Sequence, residues 1–368
     1  AVTGEIESSF YARGGTLDGI YLLGEEDVDT DEYDGHVIIH EFGHYLEHRL
    51  GRSESPGGRH GYGDRLDPRV AFAEGWPTAF AGFALGDPIY RDAGGAQQQA
   101  VTSFINIERP PLFLPNVSPG WFSEQSVWEL VYDLLDSNVD GNDTLAYSFA
   151  DIWTVLRNTM PTSAALPTIF PFWSGIKAAH PGDLVQLDQL TTAQFISPII
   201  DHYGTNESNS ANSTHVLPVY REITPNGATL NNVCSVDDFT SGTGAGNKLG
   251  SRRFLRFSSL ISGTATITVT ATSIPPGKSA DPDFIAHRGR LVAIAPTGQL
   301  IGTGPPSTDC LAVATGSGTP SACVETGTIN VVPDEYILEI YEWTNTNDTT
   351  DEFPPIGDTC FDVRVTQP

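Results

Sequence analysis

The chain changes grammar near its middle, and that change limits the folds open to it. Residues 1–205 carry apolar side chains at helical spacing between Gly- and Pro-rich loops. The periodicity predicts helices over 34–50, 69–85, 97–106, 122–136, 145–159 and 168–179, with DGIYLL at 18–23 as the clearest strand. TNESNSANST, from Thr205 onward, is polar and aperiodic, which marks 206–232 as a linker. Residues 233–368 then read as short β-rich runs: RRFLRFSSL, GTATITVTAT, RLVAIAP, CLAVAT, GTINVVP, EYILEIYEW and CFDVRVTQ, punctuated by Gly, Pro, Asp and Ser. The expected class is α+β, a mainly helical domain over 1–205 followed by an all-β sandwich over 233–368.

Charge narrows the partners. With 46 acidic against 19 basic residues the net charge is −27, which argues against nucleic acid and anionic membranes, since both attract positive surfaces. No apolar run reaches the roughly 18 residues of a membrane span. The sequence begins at Ala1 and contains a single methionine, Met160, as a mature secreted protein stripped of its leader would. All four cysteines, Cys234, Cys310, Cys323 and Cys360, lie in the strand half. Their even number and distance from any other ligand-type cluster favour disulfides. Of the three possible pairings, Cys310–Cys323 with Cys234–Cys360 is the expected one. A secreted, extracellular monomer follows from these features.

The segment VIIHEFGHYLEHRL contains His40-Glu41-Phe42-Gly43-His44, an H-E-x-x-H pattern. On a helix, residues 40 and 44 share one face a turn apart. Two imidazoles so placed can grip one Zn²⁺, and Glu41 is positioned to activate a water. Val37, Ile38, Ile39, Leu46 and Leu50 supply an apolar stripe that packs the helix into a core. Gly43 either leaves room beside the metal or lets another segment approach closely. A catalytic zinc takes three protein ligands and keeps one position open. Glu74, in RVAFAEGWPTAFAGF, is the choice for the third, because a carboxylate on an apolar helix face is costly unless paired or metal-bound. His48 and His60 are the rivals, His60 fitting better as a substrate-side group in the loop GGRHGYGD.

HEFGHYLEHRL followed by AEGW resembles the gluzincin zinc metallopeptidases, particularly the fungalysin branch, with thermolysin more distant. The resemblance covers residues 36–82. It implies a zincin-like catalytic domain with His40, His44 and Glu74 as zinc ligands, Glu41 as general base, and a peptide or protein as substrate. Such enzymes often place an Asp four residues after the ligand Glu to orient a zinc histidine; here that position is Thr78, so Asp34, Asp64 or a backbone carbonyl must serve instead. The oxyanion of the reaction needs a further donor. His60, Tyr62 and His180 are taken as catalytic candidates for it, beside Tyr132 and Tyr203. DGIYLL could align an extended substrate as an edge strand.

Two acidic stretches suggest Ca²⁺. DSNVDGND places Asp136, Asn138 and Asp140 at the alternating positions of an EF-hand-like opening, though Tyr147 stands where the bidentate Glu belongs. A solvated turn fits the same residues. EEDVDTDEYD at 25–34 concentrates carboxylates whose repulsion a cation would relieve. Glu124 and Glu129 are assigned no role. In the strand half, GTATITVTAT, SADPDFIAHRGRLVA and VVPDEYILEIYEW resemble the pre-peptidase C-terminal type of β-sandwich appended to secreted peptidases, which implies an accessory role. The sequence therefore points to a secreted zinc endopeptidase. A zinc aminopeptidase or other exopeptidase, and a non-catalytic metal-binding adhesion protein, are the alternatives.

Overall fold

Two helices cross at a glycine, and the rest of the helical half is arranged around that crossing. In this computed structural model, which describes residues 6, 8–12, 18–108, 118–137, 143–236, 246–288, 300–303, 323–346 and 355–368, helix α1 spans Gly35–Leu50 and α2 spans Pro68–Leu85. Asp67 begins α2 by accepting the Arg69 amide at 2.9 Å, ahead of a proline whose fixed φ suits the first helical turn. Gly86 ends it in the left-handed conformation at φ 62°. A Cβ on Gly43 would lie 2.8 Å from Pro77 Cβ, so only glycine lets α1 and α2 meet this closely. Two residues before Pro77 on α2, Gly75 does the same toward α3 (Glu124–Asp133), where a Cβ would fall 2.5 Å from Val127 Cβ.

Around these three helices pack α4 (Phe149–Thr154), continued by a π-helical turn over Val155–Thr159, α5 (Ile169–Ala179) and α6 (Leu184–Ala193). The core between them is aromatic, with Trp76, Trp121, Trp128 and Trp173 fully buried. Side chains of this size each remove about 150–250 Å² from water, roughly 4–6 kcal/mol apiece. The helix expected over 145–159 starts late because Ser148 and Asp151 form a capping box, and α6 was not expected.

A small antiparallel sheet lies beside α1. Its order is β3 (Gly24–Glu25), β4 (Asp29–Thr30), β5 (Ile89–Gly94) and β6 (Ala100–Asn106). The helix expected over 97–106 is therefore strand β6. Val101, Thr102, Phe104 and Ile105 are β-branched or aromatic, and pairing with β5 satisfies their backbone. A separate ribbon joins β1 (Phe10–Ala12) to β2 (Gly19–Tyr21), the latter within the predicted 18–23 strand.

The C-terminal half is a two-layered, sandwich-like β region. One sheet has the order β13 (Val324–Val331), β10 (Gly263–Ser273), β15 (Thr359–Thr366), β8 (Leu230–Ser235). The other runs β12 (Leu300–Thr303), β11 (Pro282–Arg288), β14 (Asp334–Glu342), β9 (Arg252–Ser259), β7 (Tyr220–Glu222). Ile267, Val269 and Val363 from the first layer share a core with Phe284, Leu338 and Leu255 from the second. Cys234–Cys360 is a disulfide joining β8 to β15, as expected. Its predicted companion, Cys310–Cys323, falls outside the described residues at Cys310, as do the expected runs RLVAIAP and CLAVAT. Strand β11 is an addition to the expected set.

Residues 206–232 pack rather than dangle. Val216, Val219 and Tyr220 belong to the same core as the helices, together with Phe254 and Ile337 from the β half. Between the halves, Arg69 of α2 is buried and forks onto Asp67 and onto Glu339 of β14, at 2.8 Å in each case. Glu339 also receives Arg252 at 2.8 Å and His287 at 3.1 Å. No helix among the described residues is long and apolar enough to cross a membrane.

Candidate metal centre

His40 and His44 on α1 face Glu74 and Thr78 on α2 across the Gly43–Pro77 contact, so two one-turn pairs confront each other. Both His40 Nε2 and His44 Nε2 lie 3.3 Å from Glu74 Oε2. The three donor atoms all fall within 4.8 Å of one another. Ligands bound tetrahedrally at about 2.0–2.1 Å stand about 3.3–3.4 Å apart, so the donor set fits an ion of that kind. His40 Nδ1 is 3.0 Å from Thr78 Oγ1. A proton donated there leaves the Nε2 lone pair facing Glu74. Thr78 thus occupies the orienting position for which Asp34 and Asp64 were considered. Those carboxylates instead accept the Ala93 amide at 2.8 Å and the Gly61 amide at 3.0 Å.

The charges are strongly coupled. Burial opposes a charge on His44, but Glu74, helped by Glu41 and Glu47, lifts it to about 9. His60 is lifted to about 10 against the same opposition, by Glu74 and Glu124. Burial would raise Glu74, yet His44 and His60 and the bonds from His40 and His44 hold it well below the usual carboxylate range. Positive charge therefore gathers on one carboxylate, and a bound cation would take the place of those protons.

The cluster opens onto a cleft of about 800 Å³, lined by Glu41, His60 and Tyr62 among others. Glu41 is buried, and its Oε2 has no hydrogen-bond partner among the described residues. His60 reaches the cluster from the loop between the helices. Its Nε2 is 3.6 Å from Glu74 Oε2 and 3.3 Å from Glu124 Oε2, and its Nδ1 is 3.1 Å from the Gly58 carbonyl. Gly57 and Gly58 take φ of 66° and 97° there, a left-handed path that explains the glycine pair. Tyr62 is half-exposed and meets Trp128 edge-on.

Other predicted residues lie elsewhere. His180 stacks on Tyr147 at 3.8 Å at the end of α5 and does not line the cleft. Tyr132 packs in the core, while Tyr203 lies under Arg256 of the β half. His48 Nδ1 bonds Tyr11 at 2.6 Å and stands apart from the three-donor group. The cleft wall is formed by residues 8–11 rather than by 18–23. Of the EF-hand-like residues, Asp136 follows α3, and Asn138 and Asp140 lie outside the described residues. The acidic stretch at 25–34 contributes Asp29 and Asp31 to a second group that could chelate a metal ion, completed by Asp92 of β5. Burial, with Asp29 and Asp92 close by, pushes Asp31 up to about 7 against the bond from Ser9.

Sequence reasoning missed Glu124, Tyr90 and the role of Thr78. Glu124 is buried at the first turn of α3, on a helix whose sequence reads as ordinary core. Tyr90 lines the cleft edge-on to His40. Its burial and the nearby Tyr62 and Glu41 push its hydroxyl well above the usual range.

No family model matches this chain, and no curated protein matches it. Among solved structures, it is similar to the pre-peptidase C-terminal domain of collagenase from Bacillus anthracis, at 12% identity over 40% of this chain and 93% of that one, with a TM-score of 0.23. CorA, a surface-associated copper-binding protein of Methylomicrobium album BG8, matches at 10% identity over 40% and 98%, with a TM-score of 0.25. The K3 adhesin domain of Lys-gingipain from Porphyromonas gingivalis matches at 12% over 37% and 73%, with a TM-score of 0.22. Scores this low transfer neither fold nor function.

Proposed function

We propose that the protein is a secreted zinc peptidase of gluzincin type acting on peptides or proteins, with residues 1–205 as its catalytic unit. The observation that carries this reading is the convergence of His40 and His44 on Glu74, each at 3.3 Å, beside Glu41, whose buried Oε2 has no partner among the described residues. When bound, Zn²⁺ would supply a Lewis acid for the scissile carbonyl and acidify a water. Glu41 would accept a proton from the attacking water and return it to the departing amine. His60, held between Glu124 and the Gly58 carbonyl, offers Nε2–H where negative charge gathers on the carbonyl oxygen. Tyr62 stands on the same cleft as a second donor. Thr78 keeps His40 in register. The disulfide supports an extracellular site of action.

Glu41→Gln keeps the shape but removes the base. Hydrolysis of a peptide library is expected to fall about 10²–10⁴-fold with zinc still bound, measured on the same sample by metal analysis. Undiminished hydrolysis would sink the mechanism. Asp31 and Asp92 on the cleft wall favour a second reading, removal of an N-terminal residue whose ammonium faces those carboxylates. Peptides blocked at the amino end separate the two, since only the endopeptidase cleaves them.

A further inference from the structure

The loop that carries His60 is fastened by the other half of the molecule. Leu66 bridges Lys248. The Asp67 amide donates to the Asn247 carbonyl at 2.8 Å, and the Leu249 amide donates to the Arg65 carbonyl at 2.9 Å. The side chains concentrate on one point. Asn247 Nδ2 and Lys248 Nζ both donate to the Arg59 carbonyl, at 3.0 and 3.2 Å. That carbonyl belongs to the same planar peptide unit as the His60 amide, so two donors on it fix the plane from which His60 departs. Lys248 Nζ also reaches Asp64 at 3.1 Å and Asn247 Oδ1 at 2.8 Å. Asn247 is 0% exposed and Lys248 4%. A buried ammonium is costly unless its donors are all engaged, and here each engagement holds the loop or its neighbour. Segment 247–249 is in turn tied to the β half, where Ser251 donates to the Lys248 carbonyl at 2.8 Å and Val236 to the Gly250 carbonyl at 2.9 Å.

We propose that the β half is part of the reaction machinery, with Asn247 and Lys248 as positioning residues that hold the Arg59–His60 peptide and so place His60 beside Glu74 and Glu124. This rests on the reading in which His60 serves the reaction. The C-terminal region is then not an attachment to a self-sufficient catalytic unit, because the cleft acquires its His60 wall only when residues 247–249 are docked.

The test is Lys248→Met, which keeps the buried stem and removes the donors, with isosteric Asn247→Asp as a second variant should the first fail to fold. In the metal-free full-length protein, amide exchange over 58–67 is expected to quicken about tenfold while α1 stays protected. In the zinc-loaded protein, kcat is expected to fall about tenfold with KM and zinc content unchanged. Combined with His60→Gln, Lys248→Met should add nothing further, since both act through one ring. Unchanged exchange over 58–67, or effects that multiply in the double variant, would overturn the proposal. A wild-type protein whose hydrolysis does not depend on Glu41 overturns the peptidase reading instead, and the exchange measurement still decides whether 247–249 hold the loop.

Discussion

A threonine does in this cluster what a carboxylate is expected to do, and the substitution has a chemical consequence. An Asp partner would donate negative charge to the imidazole and raise its basicity, whereas a hydroxyl only fixes its orientation. Thr78→Val preserves shape and burial but leaves His40 Nδ1, now 3.0 Å from Thr78 Oγ1, without its acceptor. Metal affinity is expected to fall about 10–100-fold, read by chelator competition; an unchanged affinity would mean that another group orients the ring. The candidate donor group was legible because His40 and His44 are close in sequence and Glu74 stands out on an apolar helix. Thr78, Glu124 and the placement of His60 were not, because each depends on a contact between elements that no local spacing encodes. The placement of His180 was hidden for the same reason: its ring stacks on Tyr147, away from the cleft lining.

Among the elements, the crossing of α1 and α2 sets the spacing of the donors. Gly43→Ala would push a methyl to 2.8 Å from Pro77 Cβ and 2.9 Å from its Cα, and backbone cannot yield as a flexible side chain does. Unfolding free energy is expected to drop by about 1–3 kcal/mol, and zinc affinity to drop with it as the histidines move away from Glu74. Gly182→Ala, where nothing among the described residues lies within 4 Å of the added carbon, is the matched control in a denaturant titration. Equal effects at the two sites would dissociate the crossing from the metal. The helices that sequence placed well, such as α1, α2 and α5, are long runs, and Asp67 and Thr168 cap the last two. Strand β6 was missed, because its residues become a strand by pairing with β5, and their local pattern over 97–106 is compatible with either state.

For the whole molecule, the buried fork of Arg69 onto Asp67 and Glu339 is a direct ionic tie between the two halves. Burial would raise Glu339, but Arg69, the bond from His287 and the charge of Arg252 hold it well below its ordinary 4.5. Its contribution is therefore complete above that ordinary value and is lost as the pH falls below it. Arg69→Met strands carboxylates in the interior, at a cost of about 3–5 kcal/mol. Calorimetry is expected to show one transition in the wild type and two in the variant; a single unshifted transition would contradict the coupling. The division into helical and strand grammar was readable from composition and period. The dependence of one half on the other was not, because it rests on a few ionic and backbone contacts between residues far apart in sequence.

The Cys234–Cys360 bond has a consequence for how the chain responds to proteolytic nicking. It closes a covalent ring across a sequence separation of 126 residues, so a single cut anywhere inside that ring releases nothing. The severed ends stay tethered through sulfur, and the nicked chain runs as one species until a reductant is added. A nick within the ring would thus be invisible on a non-reducing gel, and a scar there need not cost the molecule its final strand.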